Sequence, residues 1–172
     1  MNELIECYQY RLARYLLYLT GCPESVEDLT QETWVRVLDR GSQYGGRGRF
    51  EAWMFSIARN QAIDYLRRRR VVSLDAPDWA GEEDDLPGNL RAPDRSSPFQ
   101  AAARGEDAAR LAAAMDCLGP IYREALLLRF HEDLSLQEIA RIVGASVPTV
   151  SSRIHRGIAL LRARWEGGAN HV

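Results

Sequence analysis

Three groups of side chains have the types and spacing to do binding chemistry. Thr149, Ser151, Ser152, Arg153, His155 and Arg156 put hydroxyl, imidazole and guanidinium groups within two turns of a helix, a set suited to base edges and phosphates. Between Arg141 and Arg164 there are five Arg and no acid, which favours a polyanion. A second basic stretch, Arg40 to Arg70, holds eight Arg against Glu51 and Asp64, net +6, interleaved with Tyr44, Phe50, Trp53, Phe55 and Tyr65. Guanidiniums that pair phosphates beside rings that stack bases are what single-stranded DNA needs. Phe50, Trp53 and Tyr65 read as core, whereas Tyr44 lies in a glycine-rich loop and reads as exposed. Arg67–Arg70 have a second reading, as cations at the negative end of a helix dipole. The third group is Asp28, Gln31, Glu32 and Val35, spaced i, i+3, i+4, i+7. It is either a solvated stripe or a surface for a protein partner.

Enzymatic chemistry finds no support. Cys7, Cys22 and Cys117 match no metal-ligand spacing, and His131, His155 and His171 are scattered. No nucleophile–base pair and no phosphate-cradling glycine motif stands out. The cysteines read as small apolar fillers on helices in a reducing, cytoplasmic setting, and no metal or cofactor is expected.

Helices must position these groups. Leu136, Ile139, Ala140 and Val143 give a short amphipathic helix. Ser135 with Glu138 forms a capping box before it, with Leu134 and Ile139 as a hydrophobic staple. Gly144 permits the left-handed turn that ends it. Ser146 can cap the next helix, Val147–Trp165, where Pro148 falls in the first turn and is tolerated. Val147, Val150, Ile154, Ile158 and Leu161 form its buried side, leaving Thr149, Ser151, Ser152, His155 and Arg156 outward. A short helix, a glycine turn and a second helix of this kind form a helix-turn-helix suited to the DNA major groove.

Upstream, helices are expected near Glu3–Leu19, Val26–Arg40 (capped by Ser25 and Asp28) and Phe50–Arg70. A loop over Gly41–Arg49 separates the last two, because four glycines disfavour a helix. Ala108–Leu118 and Ile121–Phe130 complete the set. No alternating strand pattern is evident, so the chain reads as all-α.

The chain has 172 residues, 46% apolar and 27% charged, with net charge −2. That suits one or two small folded domains. Its 22 basic residues are all Arg. Residues 74–104 hold four Pro and seven acids against three Arg, net −4, and lack apolar periodicity. They read as a flexible acidic linker between an N-terminal domain, 1–73, and a C-terminal domain, 105–172. No run approaches a membrane span of roughly 18 apolar residues, and the N-terminus lacks a secretory pattern.

The segments Asp28–Trp34 and Trp53–Arg68 resemble the second conserved region of bacterial sigma factors, and Leu118–Phe130 with Leu134–Arg162 the fourth. Two such regions joined by a linker resemble the extracytoplasmic-function branch. This resemblance implies core RNA polymerase, promoter DNA and an anti-sigma factor as partners, with no membrane insertion. It gives Asp28, Gln31, Glu32 and Val35 to polymerase docking. Tyr44, Arg47, Arg49, Arg59, Asn60 and Arg67 fall to the melted −10 element, with Tyr44 and Asn60 around one flipped base. Thr149, Ser151, Ser152, Arg153, His155 and Arg156 fall to the −35 duplex. Two positions depart from the family pattern: Pro148 replaces a usual Gly, and Ser151 a usual basic residue. A free-standing repressor and a polymerase-binding protein that reads no DNA are the alternatives.

Overall fold

The computed structural model describes residues 2–46, 48–72 and 105–168, and they form helices with no strand among them. The acidic segment 74–104 falls outside the described residues. The chain divides into two compact units between residues 90 and 91.

The first unit packs α1 (Asn2–Thr20), α2 (Pro23–Asp39) and α3 (Phe50–Val72) against one another. Leu12, Tyr15, Leu16 and Leu19 of α1 meet Leu29, Thr33, Trp34 and Val37 of α2 and Met54, Phe55, Ala58 and Ala62 of α3 in the core. Tyr15 and Phe55 meet edge to face, centroids 5.0 Å apart. Thr33 fits inside because its hydroxyl donates to the Leu29 carbonyl at 2.7 Å.

Helix α2 begins earlier than its sequence suggests. Pro23 occupies the first turn, where its missing N–H costs nothing. Ser25 lies inside that turn and donates to the Cys22 carbonyl, so the expected Ser25–Asp28 cap does not form. Among the cysteines only Cys22 is buried, against the Arg69 guanidinium; Cys7 and Cys117 are exposed. The filler role therefore fails for those two.

The second unit contains α4 (Glu106–Asp116), α5 (Pro120–Leu126, continued by a π turn to His131), α6 (Leu136–Val143) and α7 (Val147–Gly168). Arg123 is buried and donates to the carbonyls of Met115, Asp116 and Leu118 at 3.1, 2.6 and 3.0 Å. It closes the C-terminal end of α4, whose carbonyls have no helical partners. Burial holds this guanidinium below the usual arginine pKa. At Gly157, α5 and α7 approach so closely that a Cβ would lie 3.0 Å from Leu126 Cδ1.

Candidate nucleic-acid interface

The α6–α7 pair is built locally. The Ser135 hydroxyl accepts from the Glu138 N–H at 3.3 Å, and the Glu138 carboxylate accepts from the Ser135 N–H at 2.8 Å. Both halves of the capping box are present. Leu134 and Ile139 are fully buried beside it. Gly144 ends α6 at φ 69°, ψ 30°, a left-handed conformation that costs an L-residue about 1–2 kcal/mol. Ser146 then accepts from the Thr149 N–H at 3.3 Å and caps α7.

On α7, Val150 and Ile154 are buried, and Thr149, Ser152, His155 and Arg156 are exposed. Ser151 is half-buried. His155 Nδ1 lies 2.8 Å from the Ser151 carbonyl. A carbonyl only accepts, so Nδ1 carries the proton. In the neutral ring Nε2 is then an acceptor, matched to the exocyclic amine of adenine or cytosine. Arg153 is a correction: it is 9% exposed and lies among Val150, Ile154 and Gly157 on the packed arc. It does not stand outward with the other five.

In the first unit, Asp28, Gln31, Glu32 and Val35 are all exposed along one side of α2. Val35, at 64%, is among the most exposed large apolar residues described. Glu32 accepts from Arg36 at 2.9 Å, one turn away.

Tyr44 is not a free platform. Its ring packs on Trp53, centroids 5.1 Å apart, and against the edge of Phe50 at 5.8 Å. Its hydroxyl donates to the Gly48 carbonyl at 2.8 Å and closes the glycine loop. Tyr8 extends the cluster to α1, with its ring 5.4 Å from Phe50. The Tyr8 hydroxyl donates to the Glu51 carboxylate at 3.1 Å. Burial raises the Tyr8 pKa first, and Glu51 raises it further. For Glu51, burial pushes the carboxyl up. Its own backbone N–H, the Tyr8 hydroxyl and Arg49 outweigh that and hold it below the usual carboxylate range. Arg49 is therefore partly committed, 3.4 Å from Glu51, and meets a phosphate only in competition with that carboxylate.

Asn60 lies elsewhere. It lines a cleft of about 370 Å³ with Arg36, Arg40, Ile57, Arg59, Ile63, Asp64 and Arg67. Tyr44 does not line this cleft. Asn60 is two turns along α3 from Trp53, the ring on which Tyr44 packs, roughly 10 Å at 1.5 Å per residue. Arg59 is a second correction: it lines the cleft but is 6% exposed. Asn60 and Arg67 are exposed. Arg47 lies outside the described residues. Sequence reasoning missed Arg36 and Arg40, which share the cleft. Their i, i+4 spacing at the end of α2 was the available signal.

Known proteins extend the picture. The family described as Sigma-70 region 2 matches residues 4–71, and Sigma-70, region 4 matches residues 108–161. The chain is 36% identical over 161 residues to "ECF RNA polymerase sigma factor SigE" of Mycolicibacterium smegmatis, covering 94% of this chain and 60% of that protein. It is 31% identical to SigX and 30% identical to SigM, both ECF RNA polymerase sigma factors of Bacillus subtilis. Those matches cover 95% and 99% of this chain, and 82% and 98% of those proteins. In fold it is similar to the sigma factor RpoE in complex with the anti-sigma factor NepR from Bartonella quintana, TM-score 0.68 at 20% identity over 96% of each chain. It is also similar to CnrH in complex with the cytosolic domain of CnrY, TM-score 0.63 at 23% identity over 96% of this chain and 87% of that one.

Proposed function

The chain belongs to the sigma-70 family, in its extracytoplasmic-function branch, and on that premise we propose that it is a dissociable initiation subunit of RNA polymerase. It joins the core enzyme, reads the −35 element as duplex and captures one melted strand of the −10 element. Bond formation in the transcript belongs to the polymerase, and this chain supplies binding only. It acts where polymerase meets DNA, in the cytoplasm, with an anti-sigma factor as its inhibitory partner.

One observation carries this reading: a capped helix, a left-handed glycine and a second helix hold Thr149, Ser152, His155 and Arg156 outward on a rigid support. Hydroxyls and the imidazole reach base edges, and Arg156 suits the O6 and N7 of a guanine. In the first unit, the exposed stripe Asp28, Gln31, Glu32 and Val35 docks the polymerase. The Tyr44–Trp53–Phe50 cluster offers ring surface to unstacked bases, each stacked base contributing about 1–3 kcal/mol. Asn60 and Arg67, two to four turns further along α3, follow the strand. Residues 1–73 then serve docking and melting, 105–172 serve −35 recognition, and 74–104 connect them.

DNase protection and permanganate reactivity on a cognate promoter test the reading. The chain with core polymerase should protect an upstream duplex element and expose reactive thymines in a second element downstream. Equal protection by the chain alone, with no reactive thymines, would favour a repressor.

A further inference from the structure

Glu51 is the one acid between Arg40 and Asp64, inside the first basic stretch. A carboxylate there repels the phosphates that its arginine neighbours attract, so its presence calls for a compensating role. Its contacts supply one. Glu51 sits in the first turn of α3, where the helix dipole favours an anion. Its Oε1 accepts from the Tyr8 hydroxyl of α1 at 3.1 Å and from Arg49 Nη2 of the loop at 3.4 Å. Burial works against the charge, but its own N–H, Tyr8 and Arg49 outweigh it and keep the carboxylate ionised. Arg49 and Glu51 flank Phe50 in sequence, so their clasp fixes the junction at which the loop enters α3. Just before it, the Tyr44 hydroxyl holds the Gly48 carbonyl. Gly46 and Gly48 of the same loop stand at φ 65° and 98°, in a glycine run that samples many conformations unless tied. Tyr44, Phe50 and Trp53 pack on one another yet stay half-buried, which leaves ring surface for a base.

We propose that Glu51 is a positioning residue for strand capture: its carboxylate ties Tyr8 to Arg49, so that the Tyr44–Phe50–Trp53 rings are preset for unstacked bases and Arg49 is withheld from the DNA backbone. This role rests on the strand-capture reading of the first unit. Arg49 then acts through the shape of the loop rather than through a phosphate. Tyr8 contributes its hydroxyl to the clasp and its ring, 5.4 Å from Phe50, to the back of the cluster. Presetting the rings removes ordering cost from binding. Phosphate contact is indifferent to sequence and present on duplex as well, whereas stacking needs bases out of the helix. Exchanging one backbone contact for preset rings therefore shifts binding toward melted DNA.

The test uses the full-length chain without polymerase. Fluorescence anisotropy at several salt concentrations compares a labelled single strand of mixed base sequence with an abasic strand of the same length. The ratio of the two affinities reports stacking on the rings, and the abasic strand alone reports backbone contact. Glu51→Gln keeps a carbonyl acceptor for Tyr8 but loses the charge that holds Arg49. It should tighten abasic binding roughly two- to fivefold and steepen the log–log salt slope by about 0.7, the value for one phosphate of a single strand. The affinity ratio should fall by at least the same factor, because loosened rings cancel the gain on the base-bearing strand. Arg49→Gln, at an exposed side chain, opens the clasp from the other end and offers phosphate no cation. It should lower the ratio with the abasic slope unchanged, and should abolish the abasic gain when combined with Glu51→Gln. An abasic slope flattened by about 0.7 in Arg49→Gln alone makes Arg49 a phosphate ligand and overturns the proposal. If Glu51→Gln melts early by circular dichroism, Arg49→Gln decides alone. A ratio above one that the variants leave intact overturns the role of Glu51 only, whereas a ratio of one in the unaltered chain refutes strand capture by these rings and this role with it.

Discussion

Glu32 is the residue on which the docking proposal turns. Its carboxylate is exposed, on the stripe with Asp28, Gln31 and Val35, and already holds Arg36. An exposed i, i+4 pair of this kind contributes only about 0.3–0.5 kcal/mol to the fold. Glu32→Arg should therefore leave the melting temperature nearly unchanged. It should cut affinity for core polymerase at least tenfold, since like charges across an interface cost several kcal/mol. Pull-down titration reads this directly, and unchanged affinity would remove the stripe from the docking surface. On α7, Ser151 is half-buried beside the exposed His155. Ser151→Arg should strengthen −35 binding and steepen the salt dependence by roughly one unit of log–log slope if it gains a phosphate. Arg156→Ala should relax preference at one base pair, worth about 1–3 kcal/mol of discrimination. Binding of a mutated-site panel at several salt concentrations separates the two effects. The arginines were the hardest residues to read from sequence. Arg153 follows Val150 by three and precedes Ile154, so it sits inside an apolar arc. Arg59 lies four residues after Phe55 and four before Ile63. Both arcs are visible in the sequence, but the default exposure of arginine masks them.

At the scale of the element, the best-read region was α6 and its ends. Capping is local chemistry, so Ser135, Glu138 and Gly144 identify themselves without knowledge of the rest of the fold. Ser135→Ala should destabilise the second unit by about 0.5–2 kcal/mol, read as a lower denaturant midpoint with unchanged slope. A shift confined to the first unit would contradict the assignment. Helix α2 was less legible because two start signals compete. Pro23 pre-sets the backbone for the first turn, while Ser25 and Asp28 imitate a capping box three residues later. The cap of α4 by Arg123 was invisible, since its partners at Met115, Asp116 and Leu118 become neighbours only through the turn between α4 and α5. The aromatic cluster shares this origin. Tyr44 meets Trp53 and Phe50 because the glycine loop folds back on α3, and hydropathy carries no record of that reversal.

For the whole molecule, charge segregation matters more than net charge. A segment of net −4 stands in sequence between the two arginine-rich stretches, 40–70 and 141–164, that we propose address DNA. Acids tethered close to a cationic surface compete with phosphates for it, the more so at low salt. Fragment 105–172, which contains the described helices of the second unit, should bind a −35 duplex no more weakly than the full chain. Anisotropy near physiological salt compares the two, and much tighter binding by the full chain would contradict this division of labour. The helical architecture was legible because each α-helix among the described residues carries a buried apolar arc. How the two units act together was not, because that depends on a polymerase surface the sequence does not contain.

The central claim is that this chain gives core RNA polymerase a promoter preference it otherwise lacks. Run-off transcription with purified core enzyme on a library of randomised promoter sequences measures it directly. Transcripts are expected from templates sharing two elements, −35 and −10, only when the chain is present. That output should be lost with Glu32→Arg at protein concentrations where the unaltered chain saturates. Transcripts with no shared template sequence, or none beyond those of the core enzyme alone, would contradict it.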